Sequence, residues 1–145
     1  EFLAGMMRLP FTRKEERRVR EESLEILDLL GISSLADEEA TSLPYGRQRV
    51  VELGRALACK PRILLLDEPA AGLNMSETAE MGKRIARIRE MGITVLLVEH
   101  DMALVMDISD EIVVLSYGKK IAEDEPRGIQ RNPEVIRVYL GDNHA

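Results

Sequence analysis

One cysteine, two phenylalanines and no tryptophan occur in 145 residues, and each shortage excludes something. The lone Cys59 cannot form an internal disulfide, which points to a reducing, cytosolic setting and to a thiol used as a small buried hydrophobe. A membrane span takes about 20 consecutive apolar residues. No stretch here approaches that, and the first residues lack the pattern of a secretory signal. Positive charge is also in deficit: 20 Lys and Arg against 26 Asp and Glu leave a net charge of −6. That balance counts against sequence-independent binding to a nucleic-acid backbone. The phosphate-wrapping string G-x-x-x-x-G-K-[ST] does not occur. The Gly82–Lys83 and Gly118–Lys119 pairs are followed by Arg84 and Lys120 and lack the first glycine. Internal repeats, low-complexity segments and sustained heptads are missing too.

What is present is apolar substance. Hydrophobic residues make up 45% of the chain, ample for the core of one modest domain. In the first third they follow a helical period. Thr12 and Glu15 stand in capping-box spacing, Val19, Ser23, Ile26, Leu27 and Leu30 line one face, and Gly31 supplies a stop. Residues Phe2–Phe11 are too apolar for a free tail and are expected to pack on this helix or on a partner. A second helix is expected from about Arg47 to Cys59, with Val50, Leu53, Gly54 and Leu57 on its inner face and Pro61 closing it. Beyond it, Ile63–Leu66, Thr94–Val98 and Ile112–Leu115 read as strands of a parallel sheet covered on both faces. A helix capped by Ser76, with Met81, Ile85 and Ile88 inward and Gly92 after its end, connects the first two as a βαβ unit. Tyr117–Lys119 read as a tight turn into a short returning strand, Lys120–Glu123. Two short helices follow, the last opened by Asn132 and Pro133 and closed by Gly141.

Two adjacent strand ends carry polar chemistry. ILLLDEP runs four aliphatic residues into Asp67 and Glu68, and VLLVEH ends at His100, one of only two histidines. Ligands of open α/β sheets bind beyond the carboxyl ends of the strands. Neighbouring side chains on an extended backbone point different ways, so one carboxylate can address a Mg²⁺ ion while the next addresses a water molecule. The metal would also offset the repulsion between the two charges. Alone, the carboxylate pair reads equally as a charged strand end, and the histidine more readily as structural than functional; together they favour a site.

The order of these segments resembles the nucleotide-binding domain of ATP-binding cassette (ABC) transporters over nearly the whole chain. LLLDEP looks like the Walker B strand, AAGLN like the D-loop, VEHD like the switch-histidine segment, and LPYGRQRVVELGRALA like the signature helix. LPYG, AAGLN and the closing NPEVIRVYLGD look most like the ATP-binding subunit of branched-chain amino acid importers. The resemblance implies a partial P-loop NTPase (RecA-like) α/β fold carrying an N-terminal helical subdomain. Residues 1–60 would be that subdomain, 61–124 the C-terminal part of the core, and 125–145 terminal helices. It implies ATP and Mg²⁺ as cofactors. Asp67 would hold Mg²⁺ through a water molecule, Glu68 would be the general base or water-orienting group, and His100 would contact the γ-phosphate.

The signature segment, Leu43, Pro44, Tyr45, Gly46, Arg47 and Gln48, would face the nucleotide of a second ATPase subunit. A helix start there presents free N–H groups and a partial positive charge. Four departures stand out: Pro44 replaces a serine, Tyr45 a glycine, Arg47 a glutamine, and Asn74 the frequent D-loop aspartate. Arg47, where glutamine is common, would either add positive charge near that nucleotide or sit in solvent. The phosphate loop, the Q-loop glutamine and the adenine-stacking aromatic are all wanting, so the chain reads as the C-terminal part of such a domain. By itself it is expected neither to bind ATP tightly nor to hydrolyse it, and to expose apolar surface that favours self-association. The implied partners are integral-membrane permease subunits at the cytoplasmic face of the membrane, with the ATPase peripheral and no nucleic acid bound. An ABC ATPase of DNA repair or chromosome structure shares the motifs but carries a long coiled coil before the signature. A non-catalytic module competing for the permease or a second ATPase subunit is the other alternative.

Overall fold

The structure, a computed structural model, describes residues 10–140. Helix α1 spans Pro10–Leu29, so Thr12 lies within the helix and not at the cap position expected of it. Its stop is the expected one. Gly31 adopts φ +69, and the N–H groups of Gly31 and Ile32 donate to the carbonyls of Asp28 and Leu27, closing the helix in a Schellman motif. Only the C-terminal part of the apolar stripe is covered: Ile26 and Leu27 pack on the core and Leu30 is buried, whereas Val19 and Ser23 are exposed.

Helix α2 (Tyr45–Ala58) starts two residues ahead of expectation, directly after Pro44, and buries Val50, Leu53, Gly54 and Leu57 as its period requires. Cys59 is exposed at the cap of this helix, which corrects its reading as a buried hydrophobe. Strand β1 (Ile63–Asp67), helix α3 (Met75–Glu90) and strand β2 (Thr94–Val98) form the βαβ unit. The strands pair in parallel, from Ile63 opposite Thr94 to Asp67 opposite Val98. Met81, Ile85 and Ile88 of α3 join Leu30, Leu53, Leu57 and Leu64 in one core. The cap of α3 is Asn74 and not Ser76. Asn74 Oδ1 accepts from the Glu77 N–H while Glu77 Oε2 accepts from the Asn74 N–H, a reciprocal box.

Helix α4 (Met102–Ile108) leads to β3 (Ile112–Ser116) and β4 (Lys119–Asp124), an antiparallel hairpin. Its turn residues Tyr117 and Gly118 both have positive φ, 47 and 75, the conformation that matches a two-residue loop to strand twist. The third apolar run therefore pairs with the returning strand, and among the described residues β3–β4 is a sheet separate from β1–β2. Helix α5 (Pro126–Arg131) and the turn α6 (Pro133–Val135), capped by Asn132 as expected, close a second core of Ile112, Val114, Ala122, Ile129 and Val135. Neither sheet is covered on both faces. Leu64 is buried, but Ile63, Leu65, Leu96, Val98, Val113 and Leu115 are all more than half exposed, because nothing among the described residues packs on that side. Residues 2–9 and Gly141, also given roles above, lie outside the described residues.

Candidate functional site

Parallel pairing brings the carboxyl ends of β1 and β2 to one edge. The Glu68 N–H extends the ladder by donating to Val98 O at 2.9 Å, and the backbone then turns at once, with Glu68 at φ +45. A left-handed non-glycine residue costs about 1–3 kcal/mol and persists only where its surroundings hold it. Here the turn is fastened by the Ala71 N–H donating to Glu68 O at 3.1 Å. Across the edge, His100 Nδ1 stands 3.5 Å from Glu68 Oε1, with the two side chains 72% and 53% exposed. Asp67, one residue back, is exposed at the end of the uncovered strand face. The edge thus offers two carboxylates and an imidazole to solvent, a set able to take up a proton, orient water and contribute a ligand to a divalent cation.

Between these groups lies a residue that spacing alone did not single out. The Glu99 side chain is 1% exposed. Its Oε1 accepts from the Ala70 N–H at 3.0 Å, and its Oε2 accepts from the N–H groups of His100 at 3.1 Å and Asp101 at 3.4 Å. Asp101 in turn caps α4, accepting from the Leu104 N–H. A charge next to a strand end is an ordinary sequence feature; only the meeting of the two loops shows that this one is buried.

The signature segment lies apart from the Glu68–His100 pair. Leu43 is buried, and its carbonyl accepts from Gln48 Nε2 at 2.7 Å. Pro44 offers no side-chain cap, and its carbonyl takes the N–H groups of Arg47 and Gln48. The helix-start donors without an acceptor in the helix are therefore those of Tyr45 and Gly46, and the Arg47 amide is already engaged. Tyr45 reaches across to the D-loop. Its hydroxyl donates to Ala71 O at 3.2 Å, its ring lies against Gly72, and Arg49 stands 5.2 Å above the ring. Glu77 lies so close to Gly46 that a Cβ there would come within 2.5 Å of its carboxylate. The Asn74 side chain is occupied in capping α3. Arg47 is exposed and lines, with Gly46, Leu73, Glu77 and Arg84, a cavity of about 350 Å³ that neither Glu68 nor His100 borders. Burial pushes the Arg84 guanidinium down from its ordinary value, opposed by the nearby Glu80 carboxylate, while Arg84 Nε donates to Leu30 O at 2.8 Å.

Comparison with known proteins bears on this arrangement. Residues 6–71 match the family described as ABC transporter, and residues 119–145 match that described as branched-chain amino acid ATP-binding cassette transporter. The chain is 46% identical over 142 residues to the high-affinity branched-chain amino acid transport ATP-binding protein BraF of Pseudomonas aeruginosa, covering 97% of this chain and 56% of BraF. Over nearly its whole length the chain is thus similar to ATP-binding cassette proteins. It is also 42% identical over 140 residues to the high-affinity branched-chain amino acid transport ATP-binding protein LivG of Escherichia coli, covering 96% of this chain and 55% of LivG. It resembles the crystal structure of the ADP conformation of an ATP-binding cassette of an ABC transporter with a TM-score of 0.75 at 32% identity, over 84% of this chain and 50% of that one. It spans about half the length of the relatives it matches. The α/β class is that of these cassettes, and no helix among the described residues is long and apolar enough to cross a membrane.

Proposed function

We propose that the whole protein is the ATP-hydrolysing subunit of an ABC importer for branched-chain amino acids, with Glu68 preparing water for attack on the terminal phosphoryl group. The observation that carries this reading is the 3.5 Å approach of His100 to Glu68 at the carboxyl edge of two parallel strands, beside the exposed Asp67. The naming of BraF and LivG as branched-chain amino acid transport ATP-binding proteins supports the solute class. In the proposal Glu68 orients or deprotonates the water, and His100, within reach of the same carboxylate, contacts the γ-phosphate. Asp67, a carboxylate exposed at this edge, has the hard oxygen donor that Mg²⁺ takes and would hold the ion through a water molecule. Bound there, Mg²⁺ would neutralise charge on the phosphates.

The helical residues 1–60, core residues 61–124 and terminal residues 125–145 are the proposed divisions. Permease subunits and a second ATPase subunit are the proposed partners, at the cytoplasmic face of the membrane. The test is made in the complete protein. Positioned general-base catalysis contributes on the order of 10²- to 10⁴-fold in rate, so Glu68→Gln is expected to lower turnover by that much with ATP affinity largely kept. His100→Ala is expected to lower turnover more than affinity. Unchanged turnover in Glu68→Gln removes it from the mechanism, and a lower melting temperature with normal specific activity in His100→Ala makes the histidine structural.

A further inference from the structure

Glu99 is a buried carboxylate that the proposed chemistry does not use. With its side chain 1% exposed, it needs partners for both oxygens, since an ionised group out of water is tolerated only when well hydrogen-bonded. The partners are all backbone amides, and they belong to two different loops. Oε1 takes the Ala70 N–H, 29 positions away in sequence; Oε2 takes those of His100 and Asp101. Ala70 lies in the turn that Glu68 begins, and that turn is left-handed at Glu68 and closed by Ala71. His100 begins the other loop, and its ring nitrogen is 3.8 Å from the same Oε2. One carboxylate is therefore bonded simultaneously to the loop of each member of the Glu68–His100 pair.

We propose that Glu99 is a positioning residue: it fastens the segment bearing Glu68 to the segment bearing His100 and so sets the spacing of that pair. Its part in catalysis rests on the ATPase reading given above; the fastening itself does not. Glutamine is the telling replacement, being of the same size but having only one acceptor oxygen, so it cannot serve Ala70 and the His100–Asp101 pair together.

Amide hydrogen exchange on this chain is the first measurement. In Glu99→Gln the amide of Ala70, or those of His100 and Asp101, are expected to exchange about tenfold faster than in the unmutated chain, with the rest of β1 and β2 unchanged. Leu64→Ala, which opens the core beneath β1, serves as the control for simple destabilisation and is expected not to single out these three amides. Steady-state ATP hydrolysis by the complete protein is the second. Because misplacement near 1 Å costs on the order of 100-fold, Glu99→Gln is expected to lower kcat about 10- to 100-fold while KM for ATP stays within about twofold. Wild-type exchange at all three amides overturns the proposal, as does a normal kcat in a variant whose amides are loosened. If the unmutated complete protein turns over no ATP, the ATPase reading falls, and the exchange result still decides whether Glu99 holds the two loops.

Discussion

Glu68 and Glu99 follow equivalent strand ends, opposite one another across a parallel pair, and chemistry divides them. Glu68 keeps half of its side chain in water and faces an imidazole, whereas Glu99 gives both oxygens to backbone donors and is closed off from solvent. An acceptor that must also act on a ligand needs lone pairs open to solvent, and of the two only Glu68 presents them. Asn74 shows the same economy at the D-loop. Its departure from the frequent aspartate leaves α3 well capped, because Asn and Asp are equally good acceptors for a helix N–H. Asn74→Asp is therefore expected to hold the urea midpoint close to wild type, whereas Asn74→Ala is expected to cost about 1 kcal/mol. Equal loss in both variants would mean that the side chain matters for something besides the cap.

At the scale of elements, α3 carries the most. Three of its side chains, Met81, Ile85 and Ile88, are at most 3% exposed, and Ile88 is wholly buried between the helix and the sheet core. Ile88→Ala is expected to destabilise by about 2–5 kcal/mol, the range for deleting a buried aliphatic side chain where the surroundings collapse only partly. Chemical denaturation reads it directly, and a cost below 1 kcal/mol on the order-of-magnitude scale of surface substitutions would show that this contact is not core. The inward faces of the elements were legible in the sequence, the first residues of the helices less so. Residues at helical spacing in α2 and α3 are the buried ones, and the strand at Thr94–Val98 has the bounds its apolar run suggested. The returning strand beside β3 was legible in the turn at Tyr117–Lys119, where Tyr117 and Gly118 take positive φ. That β3 stands in a sheet separate from β1–β2 among the described residues was not legible, since an apolar run states that a strand is buried without stating which sheet it joins.

At the scale of the whole molecule, the uncovered face of the β1–β2 sheet dominates. Ile63, Leu65, Leu96 and Val98 stand together on it, each exposed by 56% or more, an apolar surface that water covers poorly. This chain is expected to self-associate through that face as concentration rises, despite a net charge of −6, and Leu65→Lys is expected to shift sedimentation toward monomer. A wild-type chain that stays monomeric at high concentration would count against it.

The sequence by itself determined the helices and strands, the βαβ order, and the position of Asp67, Glu68 and His100 at strand ends, because periodicity and adjacency are local properties of a chain. It also carried the family resemblance, which lies in motif order. Tertiary structure alone decided that Glu68 and His100 lie 3.5 Å apart, that Tyr45 reaches Ala71 across 26 positions, and that Glu99 is sealed between two loops by amides from both. Burial and hydrogen bonding between segments depend on which loops meet, and that meeting is set by parallel pairing of β1 with β2, a non-local event.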